Sequence, residues 1–261
     1  MVATAAAGSH RKPLEALLAL LVSLSLQIAV NFSNDYSDGI RGTDDNRIGP
    51  VRITASGLAP AEAVKRAAII SFAFASIVGI YLAALSSWWG ILIGIASIAA
   101  AWFYTGGANP YGYKGLGEVS VFIFFGVIAT VGSYYVQTLQ ITWLAIAASI
   151  PMGTLACSLL AINNIRDRAQ DLHVSKRTLA VRLGDQNSRR FFVFLLIGAY
   201  LFAGLTFKPW ALITLLTVPI AVGISREVLQ GASGRDLIPL LARTGKLQLI
   251  FALTFAIGLA L

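Results

Sequence analysis

Two stretches of the sequence carry residues able to do chemistry, and they share one pattern. The first, residues 34–47, reads Asn-Asp-Tyr-Ser-Asp-Gly-Ile-Arg-Gly-Thr-Asp-Asp-Asn-Arg and holds four of the chain's twelve acids. Asn34 and Asp38 are four apart, so on a helix they stack as two oxygen ligands about one turn apart, with Asp35 about 100° round from Asn34. The second, residues 163–171, reads Asn-Asn-Ile-Arg-Asp-Arg-Ala-Gln-Asp, and its Asn163, Asp167 and Asp171 step by four along one helix face. Both stretches directly follow a long apolar run. Carboxylates there oppose the helix macrodipole and are costly to keep charged beside hydrocarbon, so a cation should offset both penalties. Oxygen ligands with neither His nor Cys beside them suit Mg2+. That ion commonly completes its shell with phosphate oxygens, and Arg41, Arg47, Arg166, Lys176 and Arg177 are phosphate partners at hand. The pair of stretches therefore predicts one Mg2+-dependent diphosphate site. The plainer reading, two solvated loops flanking membrane helices, does not account for Asn-x-x-x-Asp recurring at matching helix ends.

The elements that must position these residues are membrane helices. Of 261 residues, 57% are hydrophobic and only 12% charged, with a mean hydropathy of +0.75, which is outside the range of soluble domains. The net charge of +8 comes from residues flanking apolar runs rather than from a basic face or tail, so it reads as topology and not as nucleic-acid binding. A single cysteine, Cys157, excludes an internal disulfide. With His10 and His173 the only histidines, zinc sites and His-based triads are excluded.

Apolar runs at 14–30 (extended by 31–34), 67–85, 89–104, 118–135, 142–162, 191–206, 210–224 and 245–261 predict an all-α, polytopic bundle of eight transmembrane helices. Residues 1–12 form a polar N-terminal segment, and polar loops are expected from Asp35 to 61, from Asn163 to 190 and over 225–243. The first run has the look of a signal peptide, but no small-x-small cleavage site precedes the acidic stretch, and cleavage would detach its helix. With the two acidic loops on one side, 17 of the 20 Lys and Arg lie there, and only Arg11, Lys12 and Lys208 opposite. That side is cytoplasmic by the positive-inside rule. Between the third and fourth runs lies a Gly- and Pro-rich loop whose Tyr104, Tyr111 and Tyr113, followed by Glu118, either anchor at the interface or line a substrate pocket.

The two stretches lie 129 residues apart, Asn34 to Asn163, and divide the chain into two pseudo-repeated four-helix halves, the first of which lacks its leading helix. On the residues Asn34 to Asp44, Tyr104-Thr-Gly-Gly, Pro110-Tyr-Gly-Tyr, Asn163 to Asp171, Lys176 and Thr178 to Gly184, the chain resembles the UbiA superfamily of intramembrane prenyltransferases. It is most similar to the branch acting on 1,4-dihydroxy-2-naphthoate in menaquinone synthesis, especially the actinobacterial type. The resemblance covers nearly the whole chain from Leu14 as one domain, 1–261. It departs from the superfamily at Gly42, where a third Asp is usual; the acid stands at Asp44 instead. It also lacks the first of nine helices, so a truncated form with low activity and poor detergent stability is expected, with about 20 further apolar residues encoded upstream.

The resemblance implies transfer of a polyprenyl group from polyprenyl diphosphate to 1,4-dihydroxy-2-naphthoate, releasing diphosphate and CO2 and giving demethylmenaquinone. It implies Mg2+ held by Asn34, Asp35, Asp38, Asn163, Asp167 and Asp171, and diphosphate held by Arg41, Arg47, Arg166 and Lys176. Asp38, Asp167, Asp171 and Lys176 would be catalytic, and Tyr104, Tyr111, Tyr113 and Glu118 would bind the acceptor. The setting is a cell membrane with the site facing the cytoplasm. Intramembrane acids and internal repeats also mark ion-coupled transporters, but here the charges cluster at one side and mark no path across.

Overall fold

The computed structural model describes residues 1–44 and 48–261. It is 81% helix, and no strand occurs among the described residues. Lipid offers no hydrogen bonds to the backbone, so a chain this apolar must satisfy its amides within helices. The helices are α1 (Val2–Ala7), α2 (Pro13–Ile40), α3 (Ala61–Leu85), α4 (Trp89–Phe103), α5 (Gly117–Thr138), α6 (Trp143–His173), α7 (Leu179–Thr206), α8 (Pro209–Leu229) and α9 (Gly234–Ala260). Seven of them, α2, α3 and α5 to α9, are long and apolar enough to cross a membrane, and α4 is a shorter apolar helix of 15 residues. Together they account for the eight expected runs. The protein is multi-pass.

Three boundaries differ from the sequence expectation. Helix α2 continues to Ile40 and α6 to His173, where polar loops were expected from Asp35 and Asn163. Their polar residues find partners in neighbouring segments, so the helix need not stop where the hydrocarbon does. Within the N-terminal segment expected to be polar and unstructured, Val2–Ala7 is helical, with Val2, Ala3 and Ala7 buried against α9, α5 and α6. Its alanines favour helix and allow close approach.

By packing, the helices fall into two groups, α2–α5 and α6–α9, which are built differently. In α6, 67% of the apolar window is buried, against 17–44% in the other spans, so the second acidic stretch rides on the central helix. One large buried cluster joins α6 to α9, including Ile162, Phe192, Leu240 and Phe251. The first half holds only small clusters, Leu18, Ala19 and Leu82 in one and Ala29, Ala68 and Phe72 in another. Between them lies a chamber of about 650 Å³ lined by α2, α3, α4 and α5. Where α5 crosses α6, Gly126 and Gly153 let the backbones touch, and a Cβ on Gly126 would overlap the Gly153 Cα.

Candidate active site

Asp38 and Asp171 end the polar faces of α2 and α6, one from each half, and one ammonium joins them. Lys176 Nζ lies 3.5 Å from Asp38 Oδ2 and 3.8 Å from Asp171 Oδ1. Its position is made by the turn after α6. Ser175 takes φ 60°, a left-handed conformation costly for a residue with a Cβ, and the Lys176 amide then donates to the Asp171 carbonyl at 2.8 Å. Thr178 Oγ1 donates to Asp171 Oδ2 at 3.2 Å. Asp38 accepts from Tyr113 Oη at 2.6 Å, and its carbonyl accepts from Thr43. Both acids are buried, at 3% and 6% exposure, so the cation between them is scarcely screened.

The tyrosine loop joins α4 to α5 and reaches across to the turn after α6. A single 3-10 turn, Tyr111–Lys114, is pinned by the Arg177 amide donating to the Tyr113 carbonyl at 2.9 Å. The Tyr113 ring then has Lys176 Nζ at 5.0 Å and the Arg41 guanidinium at 5.5 Å from its centre, both within cation–π range. Burial, and then the neighbouring Asp38 charge, push the Tyr113 phenol up from 10.0 to about 12. For Lys176, burial pulls the ammonium down, but Asp38 and Asp171 outweigh it and the net shift is upward. A group whose pKa rises on folding stabilises the fold below its unfolded pKa and loses that contribution as pH climbs through the folded value. In chelator, the melting temperature should therefore hold to pH 10 and fall towards pH 12, and Tyr113→Phe should flatten that fall. An equal fall in Tyr113→Phe would refute the role of the phenol.

Other residues read as ligands from the sequence have protein partners of their own. Asp35 accepts from the Ile53 and Thr54 amides, both at 2.8 Å; it holds the following loop against α2, where Gly39 leaves room for Thr54. Asn34 Oδ1 accepts from Thr105 Oγ1 at 2.8 Å. Arg41 donates to the Thr105 and Gly107 carbonyls, so it braces the tyrosine loop. Arg166 grips its neighbour Asp167 through two bonds of 2.7 and 2.8 Å, yet its Nη1 is buried with no hydrogen-bond partner among the described residues. Asn163 is half-buried; the neighbouring Asn164, given no role from the sequence, donates to Glu118 Oε1 at 3.0 Å. Glu118 Oε2 is buried and unpartnered. Tyr111 Oη donates to the Ala100 carbonyl at 2.8 Å and pairs with Ser120 Oγ at 2.8 Å, while its ring meets Tyr104 edge-on at 5.5 Å. Arg47 lies outside the described residues. Thr105, Thr178 and Asn164 were missed as partners because their role depends on which helix faces them, and their only signal is a polar side chain beside an apolar run.

The chamber reaches to within one helical turn of Asp38, at Asn34. Asn34, Tyr104 and Tyr111 line its near end, and Ser86, Ser87 and Trp89 its far end, with apolar side chains such as Phe124, Phe125 and Ile128 along the walls. Among the described residues no three His, Cys, Asp or Glu side chains gather into a ready-made metal cage. Two carboxylates facing one cation, beside a guanidinium nitrogen still without an acceptor, suit a divalent ion that shares its shell with a diphosphate.

The model of the UbiA prenyltransferase family matches residues 1–238. This chain belongs to the UbiA prenyltransferase family. Among curated relatives, the 1,4-dihydroxy-2-naphthoate octaprenyltransferase of Mycobacterium tuberculosis is 46% identical over 94% of this chain and 85% of its own length. The Escherichia coli protein of the same name is 39% identical over 97% of this chain and 86% of its own. A solved UbiA homolog from Archaeoglobus fulgidus, bound to GPP and Mg2+, superposes with a TM-score of 0.61 over 100% of this chain and 95% of that one, at 13% identity. That likeness shows the UbiA fold.

Proposed function

We propose that this UbiA-family protein transfers a polyprenyl group from polyprenyl diphosphate to 1,4-dihydroxy-2-naphthoate, with loss of diphosphate and CO2, to give demethylmenaquinone in its reduced, quinol form. The observation that carries this reading is Lys176 held between Asp38 and Asp171, with Asp38 one helical turn beyond Asn34 in the lining of an apolar chamber, in a chain close to relatives of that name. Asp38 and Asp171, with Asp167 and Asn34 nearby, would hold Mg2+, which when bound neutralises charge on the departing diphosphate. Lys176 stands where its ammonium can turn from the carboxylates to a diphosphate oxygen, and the free Arg166 Nη1 offers a second donor. Asp35 and Arg41 act as positioning residues: the first fixes the loop after α2, the second the tyrosine loop.

The allylic C–O bond breaks with its electron pair leaving on the diphosphate, and the chamber walls keep water from the cation left behind. The ring carbon bearing the carboxylate attacks; CO2 then departs, leaving its electron pair in the ring. No protein base is required, in keeping with the scarcity of histidine. The charge bias of the loops supports a cytoplasmic site.

Purified protein given Mg2+, a prenyl diphosphate and a panel of hydroxylated aromatic acids should yield the mass of demethylmenaquinol, or of the quinone after oxidation by air, and none in chelator. Product from another acid alone would overturn the acceptor assignment. Glu118, with one oxygen unpartnered beside Tyr104, is expected to serve the acceptor. Glu118→Gln should raise the acceptor KM about tenfold and leave the donor KM unchanged; a shift in the donor alone would assign Glu118 to the diphosphate side.

A further inference from the structure

Glycines in the transmembrane helices fall into two kinds. Gly126 and Gly153 are contact glycines, where any Cβ would meet another helix. Gly79, Gly94 and Gly132 are different: a Cβ at Gly79 would meet only Val22 Cγ2 at 3.9 Å, and at Gly94 and Gly132 nothing within 4 Å. All three line the chamber. Glycine is the poorest helix former after proline, so three of them facing empty space call for another explanation than packing.

Their depths agree. Gly79 stands six residues before Leu85, the end of α3; Gly94 five after Trp89, the start of α4; and Gly132 six before Thr138, the end of α5. At 1.5 Å per residue each is about 8–9 Å from the helix end remote from the acids. Three helices thus place a bare backbone at one level of one chamber. Along α4 that level is ten residues, about 15 Å, below Tyr104. Beyond it the chamber continues to Ser86, Ser87 and Trp89.

Resting on the reading of the chamber as the prenyl site, we infer that Gly79, Gly94 and Gly132 form a collar that lets long prenyl tails through and so sets the length of donor accepted. A geranyl tail ends above the collar. An octaprenyl tail runs on through it, and a side chain added at this level takes away space that the tail would fill.

The test is a size series, Gly94→Ala, Gly94→Leu and Gly94→Phe, with the same three changes at Gly132, assayed in lipid nanodiscs with geranyl, geranylgeranyl and octaprenyl diphosphates. With the Leu and Phe variants, kcat/KM for geranyl diphosphate should stay within about twofold, and that for octaprenyl diphosphate should fall by about tenfold or more, graded with side-chain size. Where a Phe variant does not fold, the Ala and Leu members carry the comparison. An octaprenyl value that does not change would show that the tail leaves sideways into lipid and would overturn the collar; so would an equal loss for all donors at unchanged melting temperature. Failure of the proposed reaction is a separate outcome. Wild type yielding no naphthoate product tells against the acceptor, while the thermal shift given by each diphosphate in Mg2+ still reads the collar's length preference.

Discussion

Asp38→Ala and Asp171→Ala are each expected to lower kcat by about 10²–10³-fold, as does removal of one preorganised electrostatic group from an active site, and the double variant to lose hardly more. The reason is geometric. The two carboxylates come from different halves of the chain and address a single cation, so either loss dismantles the same site, and residues acting as a unit are far from additive. Steady-state kinetics with geranyl diphosphate at saturating Mg2+ measures it. Losses that add in log rate would mean that the two acids serve separate sites. Asp35→Asn offers the internal contrast, since its carboxylate serves loop amides: its effect should appear in melting temperature at least as much as in turnover.

Lys176→Met should lower kcat/KM for the prenyl diphosphate by about a hundredfold, the worth of a charge-assisted donor at a developing charge, with Lys176→Arg partly active. It should also change how the protein responds to metal. Without the ammonium, Asp38 and Asp171 face each other at the bundle edge with no counter-charge between them, so the chelated variant should melt lower than wild type. Mg2+ then has no resident cation to displace and should raise the melting temperature of the variant more than that of wild type. An equal Mg2+ shift in both would show that the lysine and the metal do not compete, and would remove Lys176 from between the acids in solution.

Much of this architecture was legible in the residues because hydrocarbon leaves the chain few choices. Runs of about 20 apolar residues must be helices, and the repeated Asn-x-x-x-Asp at their ends marked the two that matter. Identity at the site was less legible. Asp35 and Asp38 are both acids on one helix, and nothing in their types tells that one meets the backbone amides of Ile53 and Thr54 while the other meets Tyr113 and Lys176. Arg41 and Lys176 are both cations beside acidic stretches, yet one braces the tyrosine loop through carbonyls and the other joins the acids. Asn163 and Asn164 differ by 100° round α6, and it is the second that turns towards Glu118.

The sequence by itself determined that the chain is a bundle of membrane helices, and it singled out two acidic stretches, with cations and tyrosines, at the ends of those helices as the candidate site; composition, periodicity and spacing carry those properties locally. Only the tertiary structure decided that Lys176 stands between Asp38 and Asp171, that the loosely packed half encloses the chamber, and that three glycines from three helices share one depth. Each of these depends on how separate helices meet, and helix spacing along the chain does not specify the packing angles, loop paths and side-chain directions that settle it.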